Sequence, residues 1–169
     1  MLDELKIALE SIGEKAEVIK VLDQQKREKE ILVIRHGNFS ILLNPVNKTY
    51  VNLIVRIQIK PEDGAKLASQ SKEFHDEFGF ILQREMLVGK IAYNLVVDES
   101  KKPSELREIQ LMRNVIVETI DNVTKQQLSD SIQELVNVGL RIGSILGTTF
   151  SSIKGSTSDR KSYDGPMYG

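Results

Sequence analysis

The chain has 169 residues, enough for one ordinary domain, and its 23 Lys and Arg nearly cancel 24 Asp and Glu, leaving a formal charge of -1. That balance gives no electrostatic reason to expect nucleic acid or an anionic membrane as partner. The absence of cysteine excludes disulfides, thiolate catalysis and Cys-based zinc sites.

At the N-terminus, Leu2, Leu5, Leu9, Ile12, Ala16 and Ile19 recur at steps of three and four. That spacing predicts an amphipathic helix ending near Leu22, interrupted by Gly13. Acidic residues sit where a secretory signal needs an apolar run, and no stretch reaches the ~18 to 20 apolar residues that span a bilayer. The expectation is a cytoplasmic protein without a membrane span. The charged stretch "DQQKREKE" reads as a solvated connection.

Strands follow. "ILVIRH" and "FSILLN" flank "GN", a two-residue hairpin signal, and "NPVNK" reads as a second turn. In "TYVNLIVRIQIK", Val51, Leu53, Val55, Ile57 and Ile59 fall on one face, with Tyr50, Asn52, Arg56, Gln58 and Lys60 on the other. This alternation describes an antiparallel sheet with one buried and one wet face.

Pro61 at N1 opens a helix whose stripe is Leu67, Ser71, Phe74 and Phe78, with Gly79 placed to end it. "FILQREMLV" and "KIAYNLVVD" read as a second strand pair turning at Gly89. After Pro103, Ile109, Met112, Ile116, Ile120 and Val123, beside Leu111 and Val115, read as a helix apolar on more than one face. Thr124 and Gln127 have capping-box spacing and start the last helix, which carries Leu128, Ile132, Leu135, Gly139, Ile142, Leu146 and Phe150. A single helix over 103–153 is the alternative. From Gly155 onward the sequence lacks apolar periodicity and reads as a disordered tail.

The predicted fold class is therefore α+β, an antiparallel sheet in the order α-β-β-β-α-β-β-α with an additional C-terminal helix. The expected organisation is an α+β domain over 1–125, a helix over 126–153 packing on that domain or on a second subunit, and the tail over 154–169.

One motif raises an enzymatic alternative. "VIRHG" resembles the start of the histidine phosphatases and phosphoglycerate mutases, which implies phosphoryl transfer with His36 as nucleophile, assisted by Arg35 ahead of Gly37. Those enzymes carry Glu or Gln after the glycine and Asn four residues later, where this chain has Asn38 and Leu42. They also follow this strand with a helix, whereas here strand follows strand. We read Arg35 and His36 as polar strand-end residues and keep the phosphatase reading as the alternative.

No cofactor or metal site is expected. The other histidine, His75, precedes Asp76 and Glu77, but adjacent helical residues point about 100° apart and cannot converge on one ion. Tyr50 and Tyr93 are the only strand aromatics placed to stack a base, too few for a nucleic-acid platform. Gly139, Gly143 and Gly147 recur every fourth residue amid Ile142 and Leu146, although each interior glycine costs a helix about 1 kcal/mol. We read these five residues as a close-contact surface, either within the chain or at a homodimer interface.

The element order over roughly 1–125 resembles the small α/β sandwich of the type III secretion chaperones and related bacterial and archaeal proteins. Such proteins are non-enzymatic dimers that bind an extended segment of another protein along helix and sheet surfaces. The resemblance implies a non-catalytic protein-binding module, chaperone-like or adaptor-like, whose partner is another protein or a second copy of itself. The additional C-terminal helix departs from their pattern.

Overall fold

The computed structural model describes residues 2–22, 25–47, 49–89 and 91–158, with the side chains of 154–158 outside the description. Of the tail read over 154–169, residues 154–158 instead continue the last helix, and 159–169 lie outside the described residues. The elements are α1 (Leu2–Ser11), β1 (Ala16–Leu22), β2 (Glu28–His36), β3 (Phe39–Pro45) and β4 (Tyr50–Gln58). They continue as α2 (Pro61–Ala68), α3 (Lys72–Val88), β5 (Ala92–Asp98), β6 (Glu105–Ile116) and α4 (Asn122–Ser158). The fold is α+β: one six-stranded sheet in the order β1-β2-β3-β4-β6-β5, every neighbouring pair antiparallel.

The hairpins form where turn chemistry demands them. Gly37, at φ +57°, takes the first position of the two-residue Gly37-Asn38 turn, so His36 pairs with Phe39. The side chain of Asn47 accepts hydrogen bonds from the backbone N–H groups of Thr49 and Tyr50 and closes the next turn.

Inward-pointing residues build one core. Leu32, Ile34, Ile41, Leu43, Val51, Leu53, Val55, Ile109 and Leu111 are fully buried, and they meet Leu5 and Leu9 of α1, Leu67 of α2, Phe78, Leu82 and Met86 of α3, and Leu128, Ile132 and Leu135 of α4. Helices α1, α2 and α4 touch the sheet, and α3 packs along α4. Arg113 reaches from β6 to Glu134 of α4, Gly89 lies against Val138, and Arg141 Nε sits 3.1 Å from Glu85 Oε2.

Four expectations need correction. The N-terminal helix stops at Ser11 because Gly13 adopts φ +89°, and Ala16–Leu22, with the β-branched Val18, Ile19 and Val21, becomes the edge strand β1. The helix from Pro61 stops at Ala68. A new one, capped by the Ser71 side chain on the Phe74 N–H, runs through Gly79 to Val88. "FILQREMLV" is thus the second half of α3, and the step of four joining Phe78, Leu82 and Met86 is its buried seam.

The predicted helix after Pro103 is β6. Its apolar residues lie on both faces because it is a central strand: Ile109, Leu111 and Val115 face the core, Met112 and Ile116 face away. Finally, α4 begins one turn earlier than the capping box, because Asp121 Oδ1 accepts the Thr124 N–H at 2.8 Å. Thr124 instead donates its hydroxyl to the Thr119 carbonyl at 2.6 Å.

Candidate functional site

Successive strand residues point to opposite faces, which separates Arg35 from His36. His36 shares the covered face with Ile34, and its Nδ1 lies 2.9 Å from Glu14 Oε1 at the end of the loop leaving α1. Arg35 is exposed on the other face, with Val33. The two side chains do not converge on a common point where a phosphoryl group would sit. His75 is exposed on α3, remote in the chain from His36, with its ring edge toward Phe74 at 6.3 Å. Among the described residues no three His, Asp or Glu side chains gather in a metal-binding arrangement. Tyr50 and Tyr93 lie on opposite faces of the sheet, since Tyr50 pairs with the outward Ile116 and Tyr93 with the inward Leu111.

The five residues read as a contact surface separate as well. Ile142 and Leu146 are buried in the chain's own core. Gly139 is buried where a Cβ would stand 2.9 Å from the Phe39 ring, so its close approach is to the β2–β3 hairpin. Gly143 and Gly147 are exposed, and nothing of the described chain lies within 4 Å of where their Cβ atoms would be. With Ser144, Thr148 and Ser151 they make an exposed stripe of small residues along α4, next to Leu140, which is 57% exposed. The three glycines therefore serve two different surroundings.

The feature that sequence reading could not assemble is the second face of the sheet. The registers align Glu17, Val33, Leu42, Ile54, Met112 and Ala92 in one row across all six strands, pointing away from the helices. Val33, Leu42, Ile54 and Met112 are half-buried by their neighbours, and none belongs to the core. Among the described residues no helix covers this row.

Polar groups border it. On one side Asn94 Nδ2 donates to Gln110 Oε1 at 3.3 Å, Gln110 Nε2 to Glu108 Oε1 at 2.5 Å, and Gln58 donates to the same carboxylate. On the other side Asn44 pairs with Asn52, and neither amide oxygen has a hydrogen-bond partner. An apolar band between polar borders, on a face that no element of the described chain packs against, is the composition of a binding surface.

The resolved carboxylate shifts belong to turns and caps. Asp98 is held below the usual carboxylate range by the Ser100 hydroxyl first and then by Arg107, within the β5–β6 turn. Asp121 is lowered chiefly by the Thr124 N–H that it caps. Neither lies on the apolar row.

No protein-family model matches the chain, and no curated protein matches it. The crystal structure of an uncharacterized protein from Methanothermobacter thermautotrophicus is similar, with a TM-score of 0.66 and 15% identity over 88% of this chain and 97% of that one. At that identity the likeness establishes a shared fold and carries no function with it.

Proposed function

We propose that this chain is a non-catalytic cytoplasmic protein-binding module, chaperone-like or adaptor-like, that works as a homodimer. The observation that carries the reading is the apolar row Val33–Leu42–Ile54–Met112 on a sheet face that no helix of the described chain covers. A sheet face of this composition gains free energy when another element packs on it, and a partner segment can supply that element. Self-association is assigned to the small-residue stripe of α4, where Gly143 and Gly147 let a second helix come close without displacing anything in the chain.

Two measurements test this. The immobilised chain retains specific proteins from a cell extract of its source, and Ile54→Asp abolishes their retention while leaving the circular dichroism spectrum unchanged. Retention unaffected by Ile54→Asp removes the open face from the reading. Light scattering gives a mass near twice 19.1 kDa for the chain and near the monomer mass for Gly143→Leu. A dimer untouched by Gly143→Leu places self-association elsewhere.

A further inference from the structure

Within the open face, the half built from β1 to β4 is recessed and basic. Ile31, Leu42 and Ile54 form the floor of a groove of about 720 Å³, walled by Ile19 and Val21 of the edge strand. Ile31 is only 6% exposed although it stands outside the core, so the floor is sunk below its surroundings. Arg27, Lys29 and Arg56 also line this groove, and among its described lining residues there is no carboxylate. In a chain whose overall charge is close to zero, Lys29 and Arg56 on either side of one apolar depression are a local asymmetry.

Lys29 and Arg56 keep N–H groups available to a further acceptor. Lys29 Nζ donates to the Pro45 carbonyl at 3.1 Å, which anchors the ammonium beside the floor without neutralising it. Arg56 Nε lies 3.8 Å from Glu108 Oε1, but that carboxylate already accepts from Gln58 and Gln110. The Arg56 side chain remains 52% exposed, leaving guanidinium N–H groups for a further acceptor.

Resting on the protein-binding reading above, we infer that this groove receives an acidic amphipathic helix of another protein, its aliphatic ridge on Ile31, Leu42 and Ile54 and its flanking carboxylates on Lys29 and Arg56. A helix is the element that covers the opposite face of the same sheet, and a ridge of side chains at i, i+3, i+4 and i+7 fits a recess. The shape disfavours a lipid surface, which is met by protruding apolar groups rather than a sunken floor. The aliphatic lining disfavours single-stranded nucleic acid, which is held by aromatic stacking.

The test uses labelled helical peptides of one leucine pattern, flanked either by Glu or by Lys, and reads anisotropy against the full chain. The Glu peptide binds, the Lys peptide binds about tenfold or more weakly, and Lys29→Glu with Arg56→Glu reverses the order. Raising salt from about 0.1 to 1 M, where the screening length drops from about 10 to 3 Å, erases most of the difference between the two peptides. Equal binding of both peptides overturns the charge assignment while leaving an apolar protein-binding face. If neither peptide binds but Ile54→Asp still abolishes retention from the extract, the acidic helix is the wrong occupant and the module reading stands. If neither peptide binds and retention is also absent, both fall. Binding to phosphatidylglycerol vesicles in place of peptide overturns the inference in favour of a membrane.

Discussion

The two faces of the sheet are built from the same strands with opposite outcomes. Leu53 and Ile54 are neighbours on β4 with similar side chains, yet Leu53 is sealed beneath the helices and Ile54 sits half-buried on the open side. The covered face is closed by four helices around one core, except along β5, where Tyr93, Leu95 and Val97 stay partly exposed. The open face keeps an apolar row whose burial the described chain leaves incomplete. The contrast places a continuous apolar row, left open by the described chain, on one face of the sheet.

The comparison is broken most forcefully by truncating the two neighbours in turn. Leu53→Ala should cost about 2–5 kcal/mol in urea unfolding. Ile54→Ala, which removes only half-buried surface, should cost about 1 kcal/mol. Equal losses would mean that the open face is packed as firmly as the other in the species being measured, as in an oligomer that covers it.

Glycines offer a second contrast between packed and open backbone. A Cβ at Gly64 would stand 2.5 Å from the Leu106 carbonyl oxygen, a backbone atom of β6 that cannot swing aside. Gly64→Ala should therefore cost about 1–3 kcal/mol through overpacking. At Gly143 nothing of the described chain intervenes, so at concentrations where the chain is monomeric Gly143→Ala should stabilise the helix by up to about 1 kcal/mol. At dimer-forming concentrations the same methyl stands in the proposed helix–helix contact and should cancel that gain; a gain that persists there would place self-association elsewhere.

A smaller effect is expected where the layers are joined by charge. Arg113 and Glu134 tie β6 to α4 while remaining partly solvated, and Arg113→Met should cost no more than about 1 kcal/mol in the same unfolding assay. The smallest effect depends on pH. The Thr124 N–H holds the Asp121 carboxyl below its ordinary range in the folded chain, so the cap contributes stability above the unfolded pKa. That contribution is lost as pH falls through the lower folded value. Asp121→Ala should lower the melting temperature near neutrality, and the gap to wild type should close in acid. A gap independent of pH would show that the charge at the cap is irrelevant.

The sequence made the middle strands and the last helix legible because their signals are local. Gly37-Asn38 specifies its turn, the alternation from Val51 to Val55 specifies a face, and Leu128 to Leu146 keep helical spacing for five turns. Elsewhere two periods fitted one stretch. Ala16 and Ile19 extend the helical rhythm of α1, and only the positive φ at Gly13 and the β-branched run decide for a strand. On β6, apolar residues on both sides imitate a helix covered all round, whereas the cause is a central position between β4 and β5.

The candidate surface was hidden for a different reason. Val33, Leu42, Ile54 and Met112 come from four strands, and only the registers bring them into one row. In the sequence its one trace is Ile54, an apolar residue at a position that alternates with Asn52, Arg56 and Gln58. The glycine spacing on α4 was legible, but helical periodicity alone does not say that Gly139 faces Phe39 while Gly143 faces outward.

The most direct test of the protein-binding face is a methyl NMR titration of the isoleucine-labelled chain with the acidic amphipathic peptide. Shifts are expected at Ile19, Ile31 and Ile54 on the open face, with Ile34, Ile109 and Ile132 in the helix-covered core unchanged. Shifts centred on the covered isoleucines, or none on the open face at saturating peptide, would contradict it.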